Sequence, residues 1–209
     1  MANELSDSKI IQALNWTYEK AVNGVAGLDS AEDMANDYLK GSGSLHDKAN
    51  SLIRWQNTKA ATSGFLTGLG GVMVMPITIP AGVASVMYVQ VRMIAAIAKM
   101  GGYDLQDDKV KTLVFACLAG DATKDVLKDV GIVIGSKMAT NAIKNISGKT
   151  LTVINQKVGF RLITKFGEKG TINLFKAIPV LGGVIGGTVD LTATNLVGNI
   201  ARNTFIGVR

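Results

Sequence analysis

The sequence predicts an all-α protein: a single-domain helical bundle over residues 1–209, with a central apolar, glycine-rich helical hairpin broken at Pro76 and Pro80. Three observations lead to this prediction. Apolar residues recur at helical spacing in nearly every segment, without the alternation typical of strands. Hydrophobic residues make up 47% of the chain and aromatic residues only 6%, whereas glycine occurs 24 times. Finally, no linker or repeat divides the 209 residues, a length that suits one domain with a substantial core.

The N-terminal part, about residues 7–59, is predicted to form amphipathic helices. The first begins behind Asp7, a suitable N-cap. The stretch SAEDMANDYL opens with Ser30 and places Asp33 three positions later, which is an acidic variant of the capping box. The sequence GSGS at residues 41–44 then predicts a break before the next helix.

The hairpin is predicted at about residues 60–99, where AATSGFLTGLGGVMVMPITIPAGVASVMYVQV carries no charge. Proline lacks an N–H and clashes with the preceding turn, so the two prolines predict separate helices near 60–75 and 81–99. A bilayer span needs about 20 apolar residues. Each arm is shorter, and the second carries Gln90 and Arg92 near its middle. We therefore favour a hairpin wrapped by amphipathic helices over a stable span. A domain that exposes its hairpin only at a membrane remains an intermediate case.

Glycines form two stripes on predicted helices, one in the first arm and one near the C-terminus. Glycine inside a helix costs about 1 kcal/mol relative to alanine, which close backbone contact can offset. We expect the two stripes to lie near one another. The predicted close-packing residues are Gly64, Gly68, Gly71, Gly183 and Gly187, and Thr194 and Gly198 continue the second stripe.

Asp190 lies on the second glycine stripe, in the apolar segment VIGGTVDLTATNLVG. A carboxylate in such a segment needs a partner or water. Arg92 is the lone charge in the middle of the other apolar helix, so we expect a buried ion pair between Arg92 and Asp190. Its predicted role is to fix the register of the two helices.

The C-terminal part, about residues 104–206, is predicted to be helical and basic. Gly101 and Gly102 end the hairpin, and Asp104 is the expected cap of the next helix. Helices are predicted near residues 106–118, 121–146, 150–167 and 181–204. Residues 137–209 hold 10 Lys and Arg against two acids, whereas residues 1–136 hold 12 against 14. This asymmetry indicates an anionic partner. Because aromatic residues are not interleaved with the basic ones, we do not expect nucleic acid.

One predicted helix, in TLTVINQKVGFRLITKFGEKG, is amphipathic and basic. Its apolar stripe is formed by Leu151, Ile154, Val158 and Leu162. The residues predicted to contact a membrane or a partner are Lys157, Arg161, Lys165 and Lys169. Such a helix either lies against an anionic membrane surface or packs on its domain with the charges in water, and the sequence leaves both interpretations open.

The sequence offers little for catalysis or metal binding. The P-loop pattern would need glycine where Ile143 precedes SGKT. One histidine and one cysteine leave ordinary catalytic triads little to work with. The acids in DLQDD lack EF-hand spacing and suit helix capping better. We predict no catalytic, cofactor or metal site.

Several long segments resemble the bacterial EcsC family. They include SLIRWQNTKAATSGFLTGLGG, IPAGVASVMYVQVRMIAAIAKMGGYDLQDDKVKTLVFACLAG, NQKVGFRLITKFGEKG and IPVLGGVIGGTVD, and the resemblance runs from about Asn15 to Ile206. The family is named for a protein encoded beside an ABC transporter, and it supplies no catalytic residues to carry over. The apolar segments are also similar to a helical domain appended to some bacterial GTPases that is thought to face membranes, although this chain has no GTPase motif.

Together these patterns predict a non-enzymatic accessory protein that associates with membranes, serving a transporter or envelope system. We expect it on the cytoplasmic side, bound peripherally to the inner face of the membrane, because MANELSDSKIIQALNW is not a signal peptide and Cys117 stands alone. The expected partner is an anionic membrane surface or a membrane protein complex such as an ABC transporter. Two alternatives remain: a soluble protein-binding module with a permanently buried hairpin, and a carrier of an apolar ligand in a cavity between the glycine stripes.

Overall fold

The computed structural model describes residues 7–25, 27–60, 81–134, 143–166 and 185–208, and within these ranges it is helical without a strand. The predicted all-α class is therefore confirmed. Eight helices are described: α1 (Asp7–Asn23), α2 (Ala31–Leu39), α3 (Leu45–Ala60), α4 (Ala81–Met100), α5 (Asp108–Leu118), α6 (Ala122–Lys128), α7 (Gly148–Phe166) and α8 (Ile185–Phe205).

Helix α4 is the core of the bundle. From Ala84 to Met100 every side chain is buried except those of Val86 and Lys99, which are half-buried. A helix that is apolar on all sides must be covered on all sides, and α4 packs against α1, α2, α3, α5 and α8. The second arm of the predicted hairpin is thus a core helix. Its first arm and both prolines lie outside the described residues.

Helices α4 and α8 run parallel in close contact. The Gln90 side-chain amide donates a hydrogen bond of 3.3 Å to the Thr194 hydroxyl. One turn further, a Cβ on Gly198 would lie 2.8 Å from Ile53 Cγ1 and 3.2 Å from Met93 Cε. The end of the second small-residue stripe therefore lets α8 approach both α3 and α4. The surroundings of the five glycines predicted to pack closely fall outside the described residues.

The capping box predicted at Ser30 and Asp33 is present at the start of α2. The Ser30 hydroxyl accepts from the Asp33 amide at 3.0 Å, and the Asp33 carboxylate accepts from the Ser30 amide at 3.2 Å. Ser44 and Asp47 repeat this box at the start of α3, directly after the predicted GSGS break. The hydrogen bonds from Ser30 hold the pKa of the Asp33 carboxyl below its ordinary value.

The predicted cap of α5 is wrong by three residues. Asp107, not Asp104, is the N-cap, and its carboxylate accepts from the Lys109 amide at 2.8 Å. Asp104 instead accepts from the Gln106 amide at 2.9 Å, within the turn that precedes the helix. Both carboxylates satisfy an N–H two residues ahead, and only the second of these turns continues into a helix.

The predicted helix at 121–146 is also wrong, because α6 ends at Lys128. Gly131 has a φ of +80°, and the Ile132 amide donates to the Leu127 carbonyl at 2.8 Å. This is a glycine-terminated helix stop of the Schellman type. The sequence pattern of the segment was helical, but a glycine in the left-handed region ended the helix early.

No described helix combines the length and the apolar character that crossing a bilayer requires.

Helix α4 ends at a glycine: Gly102 has a φ of +83°, and the Tyr103 amide donates to the Ala98 carbonyl. Gly101, just before, meets the end of α8. A Cβ there would lie 2.5 Å from the Phe205 carbonyl oxygen.

We expect Gly101→Ala to lower the free energy of unfolding by about 1–3 kcal/mol, because backbone at Phe205 must shift to admit the methyl group. Urea unfolding followed by circular dichroism measures this. The matched control is Gly148→Ala, since a Cβ on Gly148 meets nothing within 4 Å. Its unfolding free energy should stay within about 0.5 kcal/mol of the parent. Equal stability of the two variants would contradict the close approach of α4 and α8.

Candidate contact face and buried polar sites

Helix α7 has the predicted amphipathic form. Ile154, Val158 and Leu162 are buried, while Lys157 and Arg161 are exposed. The buried stripe faces α1, α5 and α6, against which α7 packs. Lys165 lies in the last turn of α7, but its side chain is outside the described residues, as is all of Lys169.

An aromatic residue that the sequence reasoning missed stands between the two basic ones. Phe160 is 68% exposed, the most exposed large hydrophobic side chain in the described part of the chain. It lies three residues after Lys157 and directly before Arg161, so all three side chains share the outer side of the helix. An aromatic residue placed off the apolar stripe was the signal available in the sequence. We call Lys157, Phe160 and Arg161 the basic-aromatic face.

Lys157 already has a partner within the protein. Its ammonium group lies 2.5 Å from a carboxylate oxygen of Asp129, which follows α6. Both side chains are about half exposed, so the pair is open to solvent and to salt. The hydrogen bond and charge of Lys157 hold the pKa of the Asp129 carboxyl below its ordinary value. Asp129 is therefore ionised at neutral pH and competes with any external anion for Lys157.

A cavity of about 500 Å³ lies behind this face, between α1, α5 and α7. Its wall is mainly apolar, and α1, α5 and α7 each contribute polar side chains to it. The lining includes Ile11, Leu14, Phe115, Val158, Leu162, Lys111 and Asp108. For a carrier of an apolar ligand, we expected the cavity to lie between the two glycine stripes. The cavity described here lies elsewhere. At Gly198 the second stripe is closely packed against Ile53 and Met93.

Arg92 is 2% exposed and lies in the middle of α4. Its guanidinium donates to the backbone carbonyl of Asp29 at 3.1 Å and lies 5.4 Å from the centre of the Tyr88 ring. Burial raises the pKa of the Tyr88 hydroxyl, and the neighbouring guanidinium partly offsets this rise. The described partners of Arg92 are thus on the side of α4 that faces the loop before α2.

The predicted pair of Arg92 with Asp190 stays a prediction, because the Asp190 side chain is outside the described residues. The parallel register of α4 and α8 places Thr194 beside Gln90. Residue 190 lies one turn earlier on α8 than Thr194. Arg92 lies two residues after Gln90 and so points to another side of α4.

The single cysteine of the chain, Cys117, lies in α5. It is fully buried, and burial raises the pKa of its thiol to about 12. Its Sγ lies 3.7 Å from the Thr204 hydroxyl oxygen. A thiol whose pKa is raised in this way is protonated at neutral pH. Within the described ranges, no three His, Cys, Asp or Glu side chains converge as a metal site would require.

Comparison with known proteins places the chain by sequence alone. The model of the EcsC protein family matches residues 3–206, which is nearly the whole chain. Neither curated proteins nor solved structures give a significant match. The comparisons therefore give a family match and transfer no activity, ligand or residue role.

Proposed function

The chain belongs to the EcsC protein family, and we propose that it is a non-enzymatic accessory protein that associates peripherally with anionic membranes through the basic-aromatic face of α7. The observation that carries the proposal is Phe160, a 68% exposed aromatic side chain between two exposed cations. We further propose that it acts on the cytoplasmic side, beside a transporter or another envelope system, as the family resemblance implies.

The chemistry of the face suits a bilayer surface. A Phe side chain on an amphipathic helix can enter the boundary between headgroups and acyl chains, and burying it contributes about 1.5–3 kcal/mol. Each Lys or Arg near an anionic leaflet adds about 1 kcal/mol. Lys157, Phe160 and Arg161 would together supply a few kcal/mol. This predicts weak, reversible and salt-sensitive binding.

In the fold, α7 packs on the bundle with this face outward, and it belongs to the basic C-terminal part of the sequence. The opposite side of α7 is held by Ile154, Val158 and Leu162 in the bundle, so binding needs no rearrangement of the helix. The surplus of basic residues over 137–209 adds long-range attraction to an anionic surface. Helix α4, by contrast, is covered by five neighbours, so its participation would require opening the core. We assign the contact to α7 in the closed state.

A second candidate function is the soluble protein-binding module. The ion pair between Lys157 and Asp129 favours this candidate, because in it the basic-aromatic face binds a carboxylate at 2.5 Å. An acidic partner surface would offer the same group. Binding to protein-free vesicles separates the two candidates, because only the membrane interpretation predicts it.

We expect the double change Lys157→Glu and Arg161→Glu to weaken binding to vesicles containing phosphatidylglycerol by about tenfold or more, since it reverses two surface charges. Flotation at low and high salt measures the bound fraction. The matched control is Lys40→Glu with Arg54→Glu, which changes the net charge equally at exposed positions on or next to α2 and α3. Equal losses in the two variants, or no flotation of the unchanged protein, would contradict the proposal.

Removing the internal competitor should have the opposite effect. Asp129→Asn abolishes the negative charge that holds Lys157, and we expect affinity for the same vesicles to rise about threefold to fivefold, as for one extra available cation. Purely zwitterionic vesicles should show no such gain. Unchanged affinity in this variant would mean that Lys157 takes no part in lipid contact.

A further inference from the structure

A second cavity, of about 220 Å³, lies on a different part of the molecule from the basic-aromatic face. It is walled by the loop before α2 and by α2, α3 and α4, and none of its lining residues belongs to α7. The lining residues that matter for binding are Asp29, Asp37, Tyr38, Trp55, Gln56 and Arg92. A volume of this size suits a small polar molecule or a headgroup rather than a drug-sized ligand.

Two buried polar side chains in this wall each have an atom without a hydrogen-bond partner among the described residues. Arg92 is 2% exposed and Gln56 is 1% exposed. Arg92 Nε and Gln56 Oε1 have no hydrogen-bond partner among the described residues. Among the described residues, the Gln56 amide nitrogen contacts the Met34 sulfur at 3.6 Å. An unmet buried polar group costs about 1–3 kcal/mol, and more when it is charged.

Among the residues that the structure describes, Arg92 forms no ion pair. The ion pairs of those residues join Lys40 to Asp37, Lys99 to Glu32 and Lys157 to Asp129. The contacts of Arg92 are instead the neutral Asp29 carbonyl and the Tyr88 ring. A buried guanidinium in this state favours an anion, and phosphate or carboxylate can accept several of its N–H groups.

The side chains at the opening of the cavity favour a cation instead. Asp29 and Asp37 are both exposed there, and Asp37 also binds the Lys40 ammonium at 2.8 Å. Trp55 is 51% exposed and Tyr38 half-buried, which adds aromatic faces. Carboxylates and aromatic rings together attract an ammonium group and repel a plain anion. Gln56 Oε1 likewise needs a donor, not a second acceptor.

We infer that this cavity binds a small zwitterion, with its phosphate or carboxylate on Arg92 and its ammonium group toward Gln56 Oε1 and Asp29. The chemistry is that of phosphoethanolamine or an α-amino acid. It is supplied either by a free molecule or by the headgroup of an aminophospholipid. The inference is independent of the proposed membrane contact by α7, because it rests on other residues.

Fluorescence of Trp55 reports on the site directly. The chain has two tryptophans, so Trp16→Phe leaves Trp55 as the single emitter. In this background we expect phosphoethanolamine or glycine to change the emission saturably. Inorganic phosphate alone and ethanolamine alone should bind about tenfold more weakly or worse, since each loses one charged contact. Lysophosphatidylethanolamine below its micellar concentration tests the lipid source.

Two variants locate the binding. Arg92→Met should weaken the zwitterion about tenfold or more, whereas Arg202→Met, a half-buried arginine on α8, should not. Asp29→Asn keeps the backbone carbonyl that accepts from Arg92 and removes only the exposed charge. It should weaken the binding of phosphoethanolamine and tighten the binding of inorganic phosphate, because it removes a charge that attracts an ammonium group and repels a plain anion. The Asp29→Asn variant tests the inference even if Arg92→Met fails to fold.

The outcomes are distinct. Binding of phosphoethanolamine or glycine with both variant effects supports a soluble zwitterion, and tighter binding of the lysolipid supports a headgroup. No saturable change with any of the three overturns the inference. Phosphate alone binding as tightly as phosphoethanolamine also overturns it, because the site would then recognise only an anion. Vesicle binding by α7 is measured separately, so neither result decides the other.

Discussion

The burial of α4 is the constraint on which the rest of the structure depends. From Met87 to Ala98 every side chain of this helix is buried, so each neighbouring helix must turn an apolar face inward. Five helices do so. Gly198 has no side chain, so α8 can pack closely against α3 and α4. The polar sides of the surrounding helices consequently face outward. Helix α7 extends this shell by packing on α1, α5 and α6, and its cations end on the surface.

The same constraint accounts for the two polar residues that α4 retains. Gln90 meets Thr194 of α8, whereas Arg92 turns to the loop before α2 and to the small cavity beside it. One side of the core helix thus fixes a helix pair, and another contributes a charge to a cavity. The basic-aromatic face and the zwitterion cavity are separated by the core helix and its neighbours, so one could bind a surface while the other binds a small molecule.

Much of this arrangement was predictable from the sequence where one local signal dominates. The bounds of α4 follow from Pro80 before it and Gly101 after it, and the basic stripe of α7 follows from a four-residue spacing. The cap of α5 was not predictable, because Asp104 and Asp107 both satisfy a nearby N–H and only the backbone beyond decides which turn becomes a helix. The partner of Lys157 and both cavities depend on tertiary packing between distant segments, which spacing along one helix does not reveal.

Hydrogen–deuterium exchange of the α4 amides, with and without anionic vesicles, tests the central claim most directly. If α4 is the permanently covered core, the amides of Met87–Ala98 should exchange more slowly than those of α7 and should keep that protection when vesicles are bound. Exchange of α4 as fast as that of the exposed helices, or a loss of its protection on lipid addition, would contradict the account. The second result would show instead that the core helix leaves the bundle to meet the bilayer.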